Sequence, residues 1–190
     1  MATKKAIPSA TTEAPKTKAA QKKAAKAAGL DQASTVTLKV GDVAPDFTAA
    51  TDGGGSVTLS KLRGKTVVVY FYPRDSTPGC TLEACDFRDH SATFGKRGVV
   101  VLGVSPDSAK SHDGFKRKHS LPFTLVADPD KAIAHAWGVF KEKIMYGKPM
   151  LGIVRSTFVV GPTGKIAKVF ERVRVNGHVE AVLATIAESA

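Results

Sequence analysis

The stretch from Val67 to Cys85 constrains the fold most, because it predicts a strand, a turn and a helix in succession. Val67–Tyr72 is an unbroken run of β-branched and aromatic residues, which is typical of a strand buried on both faces. Pro73 should end this strand, because its ring nitrogen cannot donate to a sheet. Thr77 and Pro78 then predict an N-cap followed by proline at the first helical position.

Both cysteines of the chain lie on this predicted helix. Cys80 would be its third residue, beside unpaired backbone N–H groups and the positive end of the helix dipole. Its thiol should therefore be partly ionised near neutrality. Gly79 leaves the backbone uncovered, and Thr77 can direct its hydroxyl at the sulfur. Pro73 would shield the sulfur from bulk water, and Glu83 lies one helical turn onward. The alternative is an inert, buried Cys80, which is the commoner fate of a free cysteine.

Cys85 lies five residues after Cys80 on the same predicted helix. At this spacing two Cα atoms are ~8.6 Å apart, whereas a disulfide requires less than ~7 Å. The two thiols therefore cannot bond while the helix is intact. If they do bond, the first turns of the helix must unwind, which predicts a conformational switch between the reduced and oxidised states.

Strands and helices alternate along the rest of the domain. A hairpin is predicted over 47–59, further strands over 99–105 and 122–128, helices over 108–119 and 129–136, a second hairpin over 155–170, and a closing helix after 176–177. Residues 138–152 are expected to form an exposed loop or an irregular hairpin. Trp137 and the phenylalanines are expected in the core. This pattern predicts an α/β, thioredoxin-like fold, with a mixed central sheet covered by helices on both faces and an extra N-terminal β-hairpin.

The net charge of +11 is concentrated at the start of the chain. Residues 1–35 carry seven lysines against Glu13 and Asp31, which is a net +5. This Ala/Lys-rich segment has too few large apolar residues to form a core, so it predicts a disordered basic tail before a domain at 36–190. No apolar run is long enough to span a membrane, and two cysteines do not make a secreted disulfide scaffold.

The segment Pro73-Arg-Asp-Ser-Thr77-Pro-Gly-Cys80 resembles the active-site pattern Pro-x-x-x-Thr/Ser-x-x-Cys of the peroxiredoxins. The longer run from Tyr70 to Asp89 is similar to the bacterioferritin-comigratory, or Q-type, branch. The resemblance extends from about Val40 to the C-terminus, and includes the segment Gly152–Val160.

This resemblance implies a peroxidase that reduces hydrogen peroxide and organic hydroperoxides. Cys80 would be the peroxidatic cysteine, which becomes a sulfenic acid, and Cys85 the resolving cysteine, which closes a Cys80–Cys85 disulfide. Thr77 and Arg155 would hold the peroxide and stabilise charge, with Pro73 shielding the pocket. Gly79 and, as a further candidate, Glu83 complete the predicted substrate-binding set.

The resemblance further implies that thioredoxin or a similar dithiol donor reduces the disulfide, and that no metal, haem or flavin takes part. It also implies a monomer. No membrane partner is expected, because the sequence lacks a long apolar run. The bacterial cytoplasm is the expected compartment, ahead of a nucleus or an organelle.

Three other classes of protein are alternatives to the peroxidase. A zinc module would use Cys80, Cys85 and His90, but their five-residue steps wind around a helix and no second close pair exists. The other histidines are scattered and expected at the surface. A thiol-disulfide oxidoreductase would need Cys-x-x-Cys, which the sequence lacks. Nucleic-acid binding rests on the basic tail alone, and would coexist with peroxidase activity.

Overall fold

The computed structural model describes residues 32–145 and 147–188. The predicted basic tail therefore lies almost wholly outside the described residues. Within them, Ser34 already contacts the domain, because its N–H donates to the Phe140 carbonyl and its hydroxyl to the His135 carbonyl, both at 2.7 Å. No helix in the described part of the chain is long and apolar enough to cross a membrane.

The centre of the molecule is a mixed sheet of five strands in the order β5-β4-β3-β8-β9. The bounds of these strands are β3 Val67–Phe71, β4 Val100–Ser105, β5 Thr124–Ala127, β8 Ser156–Val160 and β9 Ile166–Phe170. β3 runs parallel to β4 and antiparallel to β8. The predicted strand at 67–72 is thus confirmed as the middle of the sheet.

Two further hairpins flank this sheet. β1 (Thr48–Ala50) pairs with β2 (Ser56–Thr58), which confirms the predicted N-terminal hairpin. β6 (Phe140–Met145) pairs with β7 (Lys148–Ile153) in a regular antiparallel register. The sequence did not decide whether this second segment is a loop or an irregular hairpin, because its exposed positions carry apolar residues such as Ile144 and Met150.

Within the described residues, five α-helices pack around the sheet. They are α1 Pro78–Asp89, α2 Ser91–Lys96, α3 Ala109–His119, α4 Ala132–Ala136 and α5 His178–Glu188. The helix that carries both cysteines ends at Asp89. His90 leaves the helical conformation, with φ −93° and ψ 2°, and its ring Nδ1 bonds the Asp86 carbonyl at 3.0 Å.

Alternate side chains of β3 enter two separate cores. Val67, Val69 and Phe71 pack with Trp137 and with Phe158 of β8 on one side of the sheet. On the other side, Val68, Tyr70 and Tyr72 pack with Cys80, Ala84 and Phe87 of α1, together with side chains of α2, α3 and α5. The expectation that Trp137 lies in the core is confirmed. Cys80 belongs to the second core, so the sheet itself fixes the helix that carries the thiol.

The expectation that the histidines lie at the surface was wrong for two of them. His112 of α3 is fully buried and His178 of α5 is 6 % exposed. A buried imidazole nitrogen is tolerated when it finds a hydrogen-bond partner, and each of these two rings has at least one such partner. His112 contacts Asp75 and the Val126 carbonyl, and His178 Nε2 lies 2.8 Å from Thr157 Oγ1.

Candidate active site

The thiol of Cys80 stands where the strand-turn-helix prediction placed it. After β3, the turn passes through Ser76, which adopts a left-handed conformation with φ 59°. Thr77 is the N-cap of α1 and Pro78 its first residue, so Cys80 is the third. The first backbone N–H groups of a helix have no partner within it, so those of Gly79 and Cys80 are available to a ligand bound beside the thiol.

Arg155 connects Cys80 to Glu83. It lies directly before β8, and because Ser156 pairs with Phe71 of β3, the arginine comes to the same edge of the sheet as the start of α1. Its Nη2 donates to Cys80 Sγ at 3.2 Å, and its Nη1 donates to Glu83 Oε2 in an ion pair. Cys80 and Glu83 are both buried, with exposed fractions of 2 % and 0 %.

The charges in this group perturb one another. Burial opposes ionisation of Arg155, but the Glu83 carboxylate and the Cys80 sulfur together raise the pKa of the guanidinium. Burial raises the pKa of Glu83 to about 7, although Arg155 acts in the opposite direction. Glu83 Oε1 has no hydrogen-bond partner among the described residues. Arg155 is therefore a fixed cation between two buried acidic groups.

The other predicted site residues border this group. Thr77 occupies the N-cap position, but its hydroxyl does not cap the helix and donates instead to the Arg74 carbonyl at 3.1 Å. A Cβ on Gly79 would lie 3.5 Å from Arg155 Nη2, so a larger side chain there would cover the guanidinium. Pro73 is half-buried in the turn that follows β3.

Cys85 lies on α1 as predicted, and both thiols are free. The helix runs unbroken past both cysteines, so the predicted Cα separation of ~8.6 Å applies and exceeds disulfide distance. Cys85 is half-buried and lines a groove with Leu82, Asn176 and Gly177. The reduced arrangement thus keeps the second thiol out of bonding distance of Cys80.

Comparison with known proteins identifies the family of this site. The AhpC/TSA family pattern matches residues 40–169. The chain belongs to the peroxiredoxins of this family. A putative peroxiredoxin Bcp of Coxiella burnetii is 48% identical over 148 residues, which cover 78% of this chain and 98% of that protein. Peroxiredoxin Bcp of Bacillus subtilis is 46% identical over 151 residues, covering 80% and 96% respectively.

Solved structures agree with this assignment. A structure of the Xanthomonas campestris bacterioferritin comigratory protein, described for its alkyl peroxide reduction activity, is 44% identical with a TM-score of 0.74. The match covers 80% of this peroxiredoxin and 98% of that chain. The predictions of a thioredoxin-like peroxiredoxin fold, of the Bcp branch and of a thiol peroxidase are confirmed.

Lys143 is a charged neighbour of the thiol that the sequence analysis missed. Its Nζ donates to the Ile153 carbonyl at 3.0 Å, and its side chain lies over Gly152, where a Cβ would approach Cε to 2.8 Å. Burial lowers the pKa of Lys143, with Arg155 acting in the same direction and Cys80 opposing it. No pattern marked this lysine, because it lies in the segment 138–152, for which the sequence predicts an exposed loop or an irregular hairpin.

The residues of the rejected zinc module do not form a cluster in this peroxiredoxin. Among the described residues, one group of potential ligands lies close together, formed by Asp86, His90 and Glu180. It joins the end of α1 to the start of α5 and includes neither cysteine. His90 is thus separated from the thiols with which the zinc module required it to act.

Proposed function

We propose that this peroxiredoxin reduces hydrogen peroxide and organic hydroperoxides with Cys80 as the peroxidatic nucleophile and Cys85 as the resolving cysteine. The contact that carries the proposal is the 3.2 Å bond from Arg155 Nη2 to Cys80 Sγ at the start of α1. A guanidinium cannot be deprotonated in a protein, so it stabilises a thiolate at all relevant pH values. The thiolate is the nucleophilic form of cysteine.

In the first step the Cys80 thiolate attacks one peroxide oxygen and the O–O bond breaks. The sulfur becomes a sulfenic acid, and the electron pair of the broken bond leaves on the second oxygen, which takes a proton to give water or an alcohol. Arg155 and the free N–H groups at the start of α1 would stabilise the negative charge that develops on this oxygen.

Thr77 would orient the peroxide by acting only as a hydrogen-bond acceptor. Because its proton is donated to the Arg74 carbonyl, Oγ1 is available only as an acceptor. It can therefore receive the O–H of the peroxide. Pro73 would exclude bulk water at the turn. Glu83 is fully buried behind Arg155, so we assign it to orienting the guanidinium and not to contact with the peroxide.

In the second step the Cys85 thiol attacks the Cys80 sulfenic acid, forming the disulfide and releasing water. Since an intact α1 holds the two sulfurs apart, its first turns must unwind before this step. A dithiol donor such as thioredoxin would then supply two electrons and restore both thiols. The groove beside Cys85, with the exposed Leu82, offers such a donor access.

We assign the enzyme to the bacterial cytoplasm as a monomer.

Intact-mass analysis with peptide mapping tests this proposal on the full chain. After one equivalent of hydrogen peroxide, the reduced protein should lose two hydrogens and link Cys80 to Cys85. Cys80→Ser should abolish peroxide turnover, while Cys85→Ser should gain one oxygen on Cys80 and fail to recycle through an internal disulfide. A stable gain of oxygen in the wild type would remove the resolving role of Cys85. Normal turnover by Cys80→Ser would refute the proposal.

A further inference from the structure

The turn before α1 has one residue whose side chain points into the protein, and this is Asp75. It is 7 % exposed, whereas its neighbours Arg74 and Ser76 are exposed. Its carboxylate accepts from the Tyr72 hydroxyl at 2.8 Å and from the Ser111 hydroxyl at 2.7 Å. The residue is thereby bonded both to the end of β3 and to α3.

His112 supplies the third contact of this carboxylate. His112 Nδ1 lies 3.0 Å from Asp75 Oδ2 and 3.2 Å from Oδ1, and Nε2 lies 3.2 Å from the Val126 carbonyl. Both ring nitrogens face oxygen acceptors, and only the doubly protonated imidazolium donates to both. Burial opposes ionisation of Asp75, but the bonds from His112, Ser111 and Tyr72 keep the pKa of this carboxyl below its usual range. The pair is therefore a buried ion pair.

The backbone of Asp75 is held as well. Its N–H donates to Asp107 Oδ2 at 2.7 Å, and the same oxygen accepts from the Ser105 hydroxyl at 2.8 Å at the end of β4. Two residues later the chain reaches Thr77, after the left-handed Ser76. A left-handed conformation is unfavourable for serine, so the turn needs contacts that hold it.

We propose that the Asp75–His112 ion pair is a positioning element for the peroxidatic site, which fixes the turn so that Thr77 and the first N–H groups of α1 face Cys80 and Arg155. The proposal rests on Cys80 being the peroxidatic cysteine. Asp75 and His112 contact neither the thiol nor Arg155 through any described bond. They act through the turn, and are positioning residues, not catalytic ones.

The chemistry of the pair supports a positioning role over a purely stabilising one. Burying two charges carries a desolvation cost that their attraction often only balances, so a buried ion pair contributes little to net stability. Its bonds are nevertheless directional and hold both partners in one geometry. A displacement of about 1 Å in a reacting group lowers a rate by up to ~100-fold.

Second-order rates of Cys80 with hydrogen peroxide test the proposal in four full-length variants. Asp75→Asn, His112→Gln and the double variant each remove the ion pair, while Phe115→Leu is the matched control. Phe115 is buried one turn after His112 on α3, and no described hydrogen bond joins it to the turn. Thermal unfolding and the ultraviolet absorbance of the thiolate, followed against pH, are measured on the same samples.

We expect each single variant to react about tenfold to 100-fold more slowly, and the double variant to be no slower than the slower single one. The fraction of Cys80 present as thiolate at neutral pH should fall together with the rate. Phe115→Leu should lower the melting temperature and retain the wild-type rate. Single variants that react within about twofold of the wild type would overturn the proposal.

The same experiment separates the two proposals. If wild-type Cys80 does not react with peroxide at all, the proposed function fails. If wild-type Cys80 reacts and Phe115→Leu slows it as much as His112→Gln does, the rate simply follows stability and only the positioning role fails.

Discussion

Replacing Glu83 by glutamine should remove a pH-dependent loss of stability while keeping the shape of the side chain. Glu83 is fully buried, and its Oε1 lacks a hydrogen-bond partner in the described part of the chain. Burial raises the pKa of Glu83 from 4.5 to about 7, against the opposing effect of the Arg155 guanidinium. The folded protein therefore keeps a proton on Glu83 over a pH range in which the unfolded chain has released it.

The sign and size of the effect follow from this difference in proton binding. Because the folded state binds more protons between the two pKa values, the free energy of unfolding falls as the pH rises through them. The rise in the pKa of Glu83 from 4.5 to about 7 corresponds to a loss of ~3 kcal/mol in the free energy of unfolding. The penalty is absent below 4.5 and complete above about 7.

Urea unfolding between about pH 5 and about pH 8 measures this penalty. Parent and Glu83→Gln proteins both carry Cys80→Ser, so that the thiol neither oxidises nor titrates. Across this range the stability of Glu83→Gln relative to its parent should rise by about 2 kcal/mol. Glu142→Gln, at an exposed position of β6, is the matched control. Its free energy of unfolding should change with pH in the same way as that of the parent. Parallel curves for Glu83→Gln would refute the reasoning, because they would mean that Arg155 keeps Glu83 ionised in the folded state.

Two further substitutions test the surroundings of the site. Lys143→Met should slow the reaction of Cys80 with peroxide by about two- to fivefold at low salt, since it removes a partly screened cation. Lys141→Met, two residues earlier on β6 and paired with Glu171, should leave the rate unchanged; equal losses in both variants would contradict a specific role for Lys143. Gly103→Ala should destabilise the fold by about 1–3 kcal/mol, because the new Cβ would lie 2.6 Å from the hydroxyl of the buried Tyr70. Gly114→Ala in α3, where a Cβ meets no atom within 4 Å, should instead stabilise it by up to ~1 kcal/mol in thermal unfolding. A melting temperature of Gly103→Ala equal to that of the wild type would show that β3 and β4 adjust without cost.

Local sequence rules succeeded where neighbouring residues determine the conformation. The apolar run at 67–72, the proline after it and the Thr77-Pro78 start of α1 act through backbone hydrogen bonding and φ restriction alone. They sufficed to predict the strand, the turn and the helical position of Cys80. The same rules did not decide between an exposed loop and an irregular hairpin for residues 138–152, because the strand register of β6 and β7 depends on pairing and not on an apolar face.

Long-range placement was beyond these rules. Arg155 is 75 residues from Cys80 along the chain, and its role was predicted only through a family resemblance. His112 gave no signal at all, because a histidine on an amphipathic helix is buried or exposed according to the partners that other segments bring to it.

The sequence alone therefore determined the chemistry that this chain contains: two thiols on one helix, spaced so that they cannot bond while it is intact. The tertiary structure decided what surrounds the first thiol. The pairing of β8 with β3 brings Arg155 to Cys80, and the packing of α3 brings His112 to Asp75. The physical reason is that charges interact through space, over distances that only the folded arrangement of strands and helices sets.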